Sequence, residues 1–203
     1  MNRIVTVGRE FGSGGRELGK RLAEKLGYAY YDREIVRAIA ARSELAESYV
    51  EQVLEQGVQA YYPITVANTI AAPISGPIPI INSSIYAAQT EILREMAQKS
   101  DCVIVGRCAD HVLADYRPMR IFVYADWESK LARCREKNED QNLSDRELER
   151  RMRAIDKARG QYYRFYTGCV WGAKENYDLC VNTSGREIKP LAEALAALVK
   201  GQG

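Results

Sequence analysis

Most of what marks a metal-bound, disulfide-stapled or membrane-spanning protein is missing from this chain. It holds a single histidine, His111, which has the chemistry of a proton-transfer group but reads as a structural residue on a helix. The cysteines, Cys102, Cys108, Cys134, Cys169 and Cys180, are odd in number and widely spaced. With no CxxC pair among them, neither a disulfide framework nor a zinc site is expected, and a reducing cytoplasm suits them best. No charged residue occurs between Gln56 and Thr90, yet Pro63, Pro73, Pro77 and Pro79 interrupt that stretch and exclude a spanning helix. Asn2 and Arg3 lead straight into the first apolar run, so no secretory leader is expected. Neither sign of charge dominates: 29 Lys and Arg stand against 27 Asp and Glu, a net charge of +2. That balance argues against a bulk nucleic-acid binder and leaves small anionic ligands open.

What is present fits one enzyme-sized domain. With 203 residues, 46% of them hydrophobic, the chain can bury a full core, and residues 1–203 read as a single domain. Short apolar runs at Ile4–Val7, Tyr28–Tyr31, Cys102–Val105, Arg120–Tyr124 and Tyr177–Val181 alternate with helical patterns. Such alternation predicts a parallel sheet covered by helices on both faces. Leu18, Leu22 and Leu26 mark one face of a first helix, and Ile92 and Met96 belong to a helix over about 83–98. Ser144 and Glu147 form a capping box that opens a long helix with Leu148, Met152, Ile155 and Tyr162 on its apolar face. A C-terminal helix near Glu187–Val199 reads as packing. The uncharged segment from Gly57 to about Ile81 is too long for an ordinary connection and is assigned to an acceptor-side or oligomer insertion within about 43–90, with a homodimer contact favoured.

The chemistry is concentrated where the first strand gives way to the first helix. Gly8-Arg9-Glu10-Phe11-Gly12-Ser13-Gly14-Gly15-Arg16-Glu17 is a glycine-rich loop placed to offer backbone N–H groups and a helix N-terminus to a phosphate. It lacks the lysine and the following hydroxyl of the G-x-x-x-x-G-K-[ST] pattern. Arg16 stands ready to supply positive charge, or to pair with Glu17 or Glu10, and Ser13 is the loop's only hydroxyl for a metal. Asp32, at a strand-to-helix junction, suits an N-cap or an acceptor contact. Arg107 follows a buried strand and a glycine at the carboxyl edge of the sheet, where open α/β folds bind ligands. Arg37, on the helix after Asp32, is a weaker candidate for the same role. On the long helix, Asp156, Arg159 and Tyr163 share one face by their spacing.

Val5 to Gly19, with Tyr30-Tyr31-Asp32-Arg33-Glu34-Ile35, resembles the cytidylate kinase-like family of bacterial P-loop proteins. Val103 to Asp110 is similar to that family's third-strand motif, Ile155 to Arg164 to its lid helix, and Tyr177 to Thr183 to its last strand. The resemblance implies a three-layer α/β P-loop NTPase fold with a five-stranded parallel sheet and a helical lid at about 138–168. It further implies ATP with magnesium as donor and a nucleotide such as CMP as acceptor. Carried over residue by residue, it gives Gly12, Ser13, Gly14, Gly15, Arg16 and Glu17 to the donor phosphates and Asp32, Arg37 and Arg107 to the acceptor. Arg16, Arg153, Asp156, Arg159 and Arg164 then act in transfer, with Arg153 or Arg164 replacing a lid arginine whose place Met152 takes. Gly15, Glu17 and Val105 stand where cytidylate kinases carry lysine, a hydroxyl residue and aspartate, and Cys108 replaces an acid that contacts the base. Two readings follow: a kinase for a nucleoside monophosphate or another small phosphorylated acceptor, or a nucleotide-binding sensor or scaffold that transfers nothing.

Overall fold

A computed structural model describes residues 2–56, 77–136 and 143–201. Five strands form one all-parallel sheet in the order β2-β3-β1-β4-β5. They are β1 Ile4–Arg9, β2 Ala29–Tyr31, β3 Cys102–Val105, β4 Met119–Tyr124 and β5 Leu179–Asn182. Each expected apolar run therefore forms a strand, with ends shifted by a residue or two. The helices are α1 Gly15–Leu26, α2 Arg33–Ser43, α3 Glu47–Gln56, α4 Pro77–Lys99, α5 Ala109–Val112, α6 Trp127–Glu136, α7 Asp145–Thr167 and α8 Ile188–Gly201.

Alternation along the central strands builds two cores. Ile4, Cys102 and Ile104 face α2, α3 and α4, joined by Ile35, Ile39, Ile85 and Leu93. Val5, Val7, Val103 and Val105 point the other way, onto Leu18 and Leu22 of α1 and Leu195 and Val199 of α8. A third, smaller cluster packs Cys134, Leu148 and Met152 of α6 and α7 with Phe11 of the glycine loop against it. That cluster seats the loop on the lid helix.

The helix expected at 83–98 begins earlier, at Pro77. Prolines are tolerated there because the N–H groups of a first helical turn have no partner within the helix. The capping box is present, with the Ser144 hydroxyl accepting from the Glu147 N–H and the Glu147 carboxylate from the Ser144 N–H. Ile155 is only half-buried, and Tyr163 takes the buried place beside Tyr162. Most of the uncharged insertion, and the dimer contact assigned to it, lies outside the described residues. Among the described residues no helix is long and apolar enough to cross a membrane.

β1 leaves toward β2 on one side and β3 leaves toward β4 on the other. The carboxyl ends of β1 and β3 are therefore the place where such a sheet opens a crevice.

Candidate active site

The loop between β1 and α1 turns on glycine. Gly12 and Gly14 have φ of 73° and 80°, conformations that a side chain would strain, and Gly14 occupies the N-cap position of α1. A Cβ on Gly15 would overlap Cβ of Arg9 and lie 3.2 Å from Cβ of Val123. The position where a phosphate-loop lysine is expected is thus filled by the stem of Arg9. Ser13 is fully buried, and its hydroxyl donates to the Glu10 carbonyl at 2.8 Å. It is turned into the loop, and Ser13 does not line the cleft beside it. Thr183, beyond β5, fastens the loop from behind by donating to the Ser13 carbonyl at 2.8 Å.

Four arginines from separate elements gather on the ligand side. Arg9, at the end of β1, is 10% exposed, and its guanidinium lies against Gly106, where a Cβ would overlap Nη1. Burial, and after it the neighbouring charge of Arg159, pull its pKa down to about 9, well below the usual arginine range; Asp32 opposes them, while Arg107 and Arg16 add to them. Arg16 reaches Asp32, Nε to Oδ2, at 2.6 Å, and not Glu17, which pairs with Arg21. Asp32 stands at the N-cap position of α2 but makes no capping hydrogen bond, so its carboxylate serves the arginines. Its Oδ1 is buried without a hydrogen-bond partner, 3.8 Å from Arg9 Nη2.

The lid helix is docked on the loop. Asp156 Oδ1 accepts the Phe11 N–H at 2.7 Å, Arg159 Nη1 donates to the Arg9 carbonyl at 3.4 Å, and the Arg159 guanidinium sits 5.8 Å from the centre of the Phe11 ring. Lys130 of α6 completes this side, 2.6 Å from Glu10 and 3.8 Å from Asp156. Burial raises the Asp156 pKa, opposed by the Phe11 N–H, Arg159 and Lys130.

Arg107 arrives by a strained turn. Gly106, Arg107 and Cys108 run consecutively through φ of 74°, 62° and 51°, a left-handed path that costs the two non-glycine residues free energy. Gln89 of α4, fully buried, donates to the Arg107 carbonyl at 2.9 Å and accepts from the Tyr162 hydroxyl at 3.3 Å. The Arg107 side chain is held at 9% residue exposure with Nε lacking any partner.

Sequence reasoning placed Arg16, Asp32, Arg107, Asp156 and Arg159 here, and the structure brings them together. Arg153 does not join them: it is 80% exposed and pairs with Glu149 at 2.5 Å. Arg164 is exposed, and Arg37 is 65% exposed, 3.8 Å from Glu47. Arg33, Arg133 and Arg151, none of them expected, line the cleft beside the loop. Arg9 and Lys130 were missed as well. A signal for Arg9 existed, because the last residue of a central parallel strand lies at the ligand edge of the sheet. Among the described residues no cluster of His, Cys, Asp and Glu is placed to hold a metal ion.

Two cavities meet at Arg9 and Arg159. One, about 450 Å³, runs along Glu10–Gly12, Gly14–Arg16, Arg33 and Arg151, a size suited to a small-molecule ligand. The other, about 40 Å³, lies between the ends of β1 and β3 and the lid helix.

The sequence profile of the cytidylate kinase-like family matches residues 4–185. Among curated proteins, none matches the chain. An uncharacterized protein from Eubacterium ventriosum is similar in structure, with a TM-score of 0.69 and 23% identity over 98% of this chain and 99% of that one. Shikimate kinase from Bacteroides thetaiotaomicron is similar at 0.57 and 17% identity, over 98% of each chain. Shikimate kinase from Acinetobacter baumannii in complex with shikimate gives 0.54 and 18%, over 100% of this chain and 94% of that one. At these identities the likeness is one of fold, the α/β fold of P-loop kinases. With the profile running from β1 past β5, the chain belongs to the cytidylate kinase-like family.

Proposed function

We propose that this protein transfers the γ-phosphoryl group of ATP to a small acceptor, a nucleoside monophosphate such as CMP or another small anion, with arginines in the place of a loop lysine. The bond from the γ-phosphorus to the bridging oxygen breaks, ADP leaves, and a new P–O bond forms to an oxygen of the acceptor. A hydroxyl acceptor also releases its proton to solvent. One observation carries this reading: the buried Arg9 guanidinium has Arg159, Arg107 and Arg16 around it and Asp32 as counter-charge, and burial first, then those arginines, pull its pKa down to about 9. Such crowding of cations is relieved by a polyphosphate. The first turn of α1 adds N–H groups and a partial positive charge on the same side. Phosphates would lie along Gly12–Arg16, with Arg9 and Arg159 over the transferring group and Arg107 toward the acceptor. Magnesium would be held chiefly by the phosphates it neutralises, with Asp32 Oδ1 as the carboxylate oxygen this wall offers.

Incubation with ATP, magnesium and a panel of acceptors should yield ADP and a phosphorylated product. Arg9→Gln should lower that rate about 10²–10³-fold, the usual effect of removing one group that stabilises transition-state charge. No ADP with any acceptor, together with ATP binding in a calorimeter, would establish the second reading, a nucleotide-binding sensor or scaffold. Two features favour that reading: Gly15 at the lysine position, and an Asp156 carboxylate on the Phe11 N–H of the loop.

A further inference from the structure

The smaller cavity has the build of a selective seat. Gly8, Arg9, Gly106, Arg107 and Cys108 form its floor, and Arg159 closes it toward the loop cleft. Its far wall is aromatic: Tyr162, Tyr163, Trp171 and Tyr177. That wall is fixed. The Tyr163 hydroxyl donates to Asp110 Oδ2 at 2.6 Å, and Phe122 packs against Trp171 and Tyr177 with ring centres 5.3 and 4.9 Å apart. Behind them, a Cβ on Gly172 would come within 3.0 Å of Phe122, so the backbone beside Trp171 is already at contact distance from that ring.

Size and charge then select the ligand. At about 40 Å³ the cavity exceeds the roughly 10–15 Å³ that admits one water and is about a tenth of the loop cleft, a space that suits a carboxylate or phosphate head better than a pyrimidine with its ribose. Arg107 Nε, buried without a partner, is a charged donor that has given up water and gained nothing in return. Such a donor, beside Arg9 and Arg159, calls for an oxyanion with oxygens for more than one guanidinium. Cys108, 6% exposed, brings no acid of its own, and Asp110, a carboxylate in the same lining, is already engaged by the Tyr163 hydroxyl at 2.6 Å.

We propose that this cavity is the acceptor seat, and that it selects a compact oxyanion on a short carbon skeleton, a phosphate monoester or a carboxylate, against nucleoside monophosphates. The inference rests on the kinase reading for the word acceptor alone; the seat and its selectivity are binding properties. The anion sits on Arg107, and the rest of the skeleton extends past Arg159 toward the glycine loop.

Calorimetry without ATP tests it, using inorganic phosphate, glycerol 3-phosphate, malate and CMP as probes. Glycerol 3-phosphate or malate should bind, the tighter of the two assigning phosphate or carboxylate as the preferred head, and CMP should bind no tighter than inorganic phosphate. Arg107→Gln should weaken the bound probe about tenfold or more, as loss of a charged hydrogen bond does. Should that variant fail to fold, Arg159→Gln, on the lid helix, should weaken it similarly. Binding of CMP about tenfold tighter than glycerol 3-phosphate overturns the proposal, as does binding of no probe, or wild-type affinity in both variants. An ATP titration of the same samples separates the two claims: no ATP binding with intact glycerol 3-phosphate or malate binding sinks the kinase reading and leaves the seat standing.

Discussion

The turn after β1 and the turn after β3 lie side by side at the carboxyl edge of the sheet and reach toward an anion by opposite means. The first bends through glycines, at Gly12 and Gly14, and its own side chains do little at the ligand: Ser13 is tied inward and Gly15 has none. Its charge comes from Arg9 before it, Arg16 after it and Arg159 from across the cleft. The second turn bends through Arg107 and Cys108 as well as Gly106, at about 1–2 kcal/mol for each non-glycine residue held left-handed. In exchange it aims its own guanidinium, with Gln89 fixing the carbonyl behind it. A loop with an inexpensive backbone borrows its chemistry, whereas a strained one carries it. The wide cavity adjoins the first and the narrow cavity the second, which suits a flexible polyphosphate on one side and a compact, selected head on the other.

The sharpest way to break that contrast is to give the first turn its own cation. Gly15→Lys should not restore a standard phosphate loop, because its Cβ would overlap the stem of Arg9 and crowd Val123. Overpacking of this kind should cost about 2–3 kcal/mol in chemical denaturation, with no gain in ADP formation. A stable variant with faster turnover would show that the first turn can carry charge after all. Gly106→Ala probes the second turn and should have a smaller effect on stability, about 1–2 kcal/mol for alanine at positive φ. The atom it displaces is the tip of a flexible side chain, Arg9 Nη1, so the larger consequence should appear in calorimetry as weaker phosphate binding. Unchanged affinity would mean that Arg9 does not need its place against Gly106.

The smallest effect expected is a pH dependence behind the second turn. Burial raises the pKa of Asp110 above 3.8, opposed by the Tyr163 hydroxyl and nearby backbone N–H groups. A folded state that holds its proton more tightly than the unfolded chain is favoured below 3.8 and loses that advantage as pH rises through the folded-state value. The stability of the wild type minus that of Asp110→Asn should therefore fall as pH rises above about 4 in paired denaturation curves. A difference that grows with pH would show that the carboxylate is favoured in the fold.

The sheet was legible because each strand is an apolar run bounded by glycine, charge or proline, as at Ile4–Val7 and Cys102–Val105. Strand order was not written in the same way, because no local pattern sets which runs lie side by side. The site divided along the same line. Arg16, Arg107, Asp156 and Arg159 could be read from local position, after a glycine or on a helix face. Arg9 had a local signal for its place at the ligand edge but none for its contact with Gly106, which depends on β3 lying beside β1. Lys130 and Gln89 are one residue each on ordinary helices, and nothing local separates them from their neighbours. The rotation of Asp32 from capping to ion pairing likewise follows from Arg16 and Arg9 arriving from other elements.

The central place of β1 has a consequence for how the chain is made. Its partners are β3 and β4, with Ile4 opposite Cys102 and Val5 opposite Met119, so the first strand synthesised has no neighbour until about half the chain has followed. At the usual pace of translation that leaves Ile4–Arg9 and the glycine loop unpaired for roughly 5–20 s. During that interval the amphipathic α1, with Leu18 and Leu22 on one side, is the cover within reach for those apolar side chains. The glycine loop is thus made long before the strands that give it its working shape.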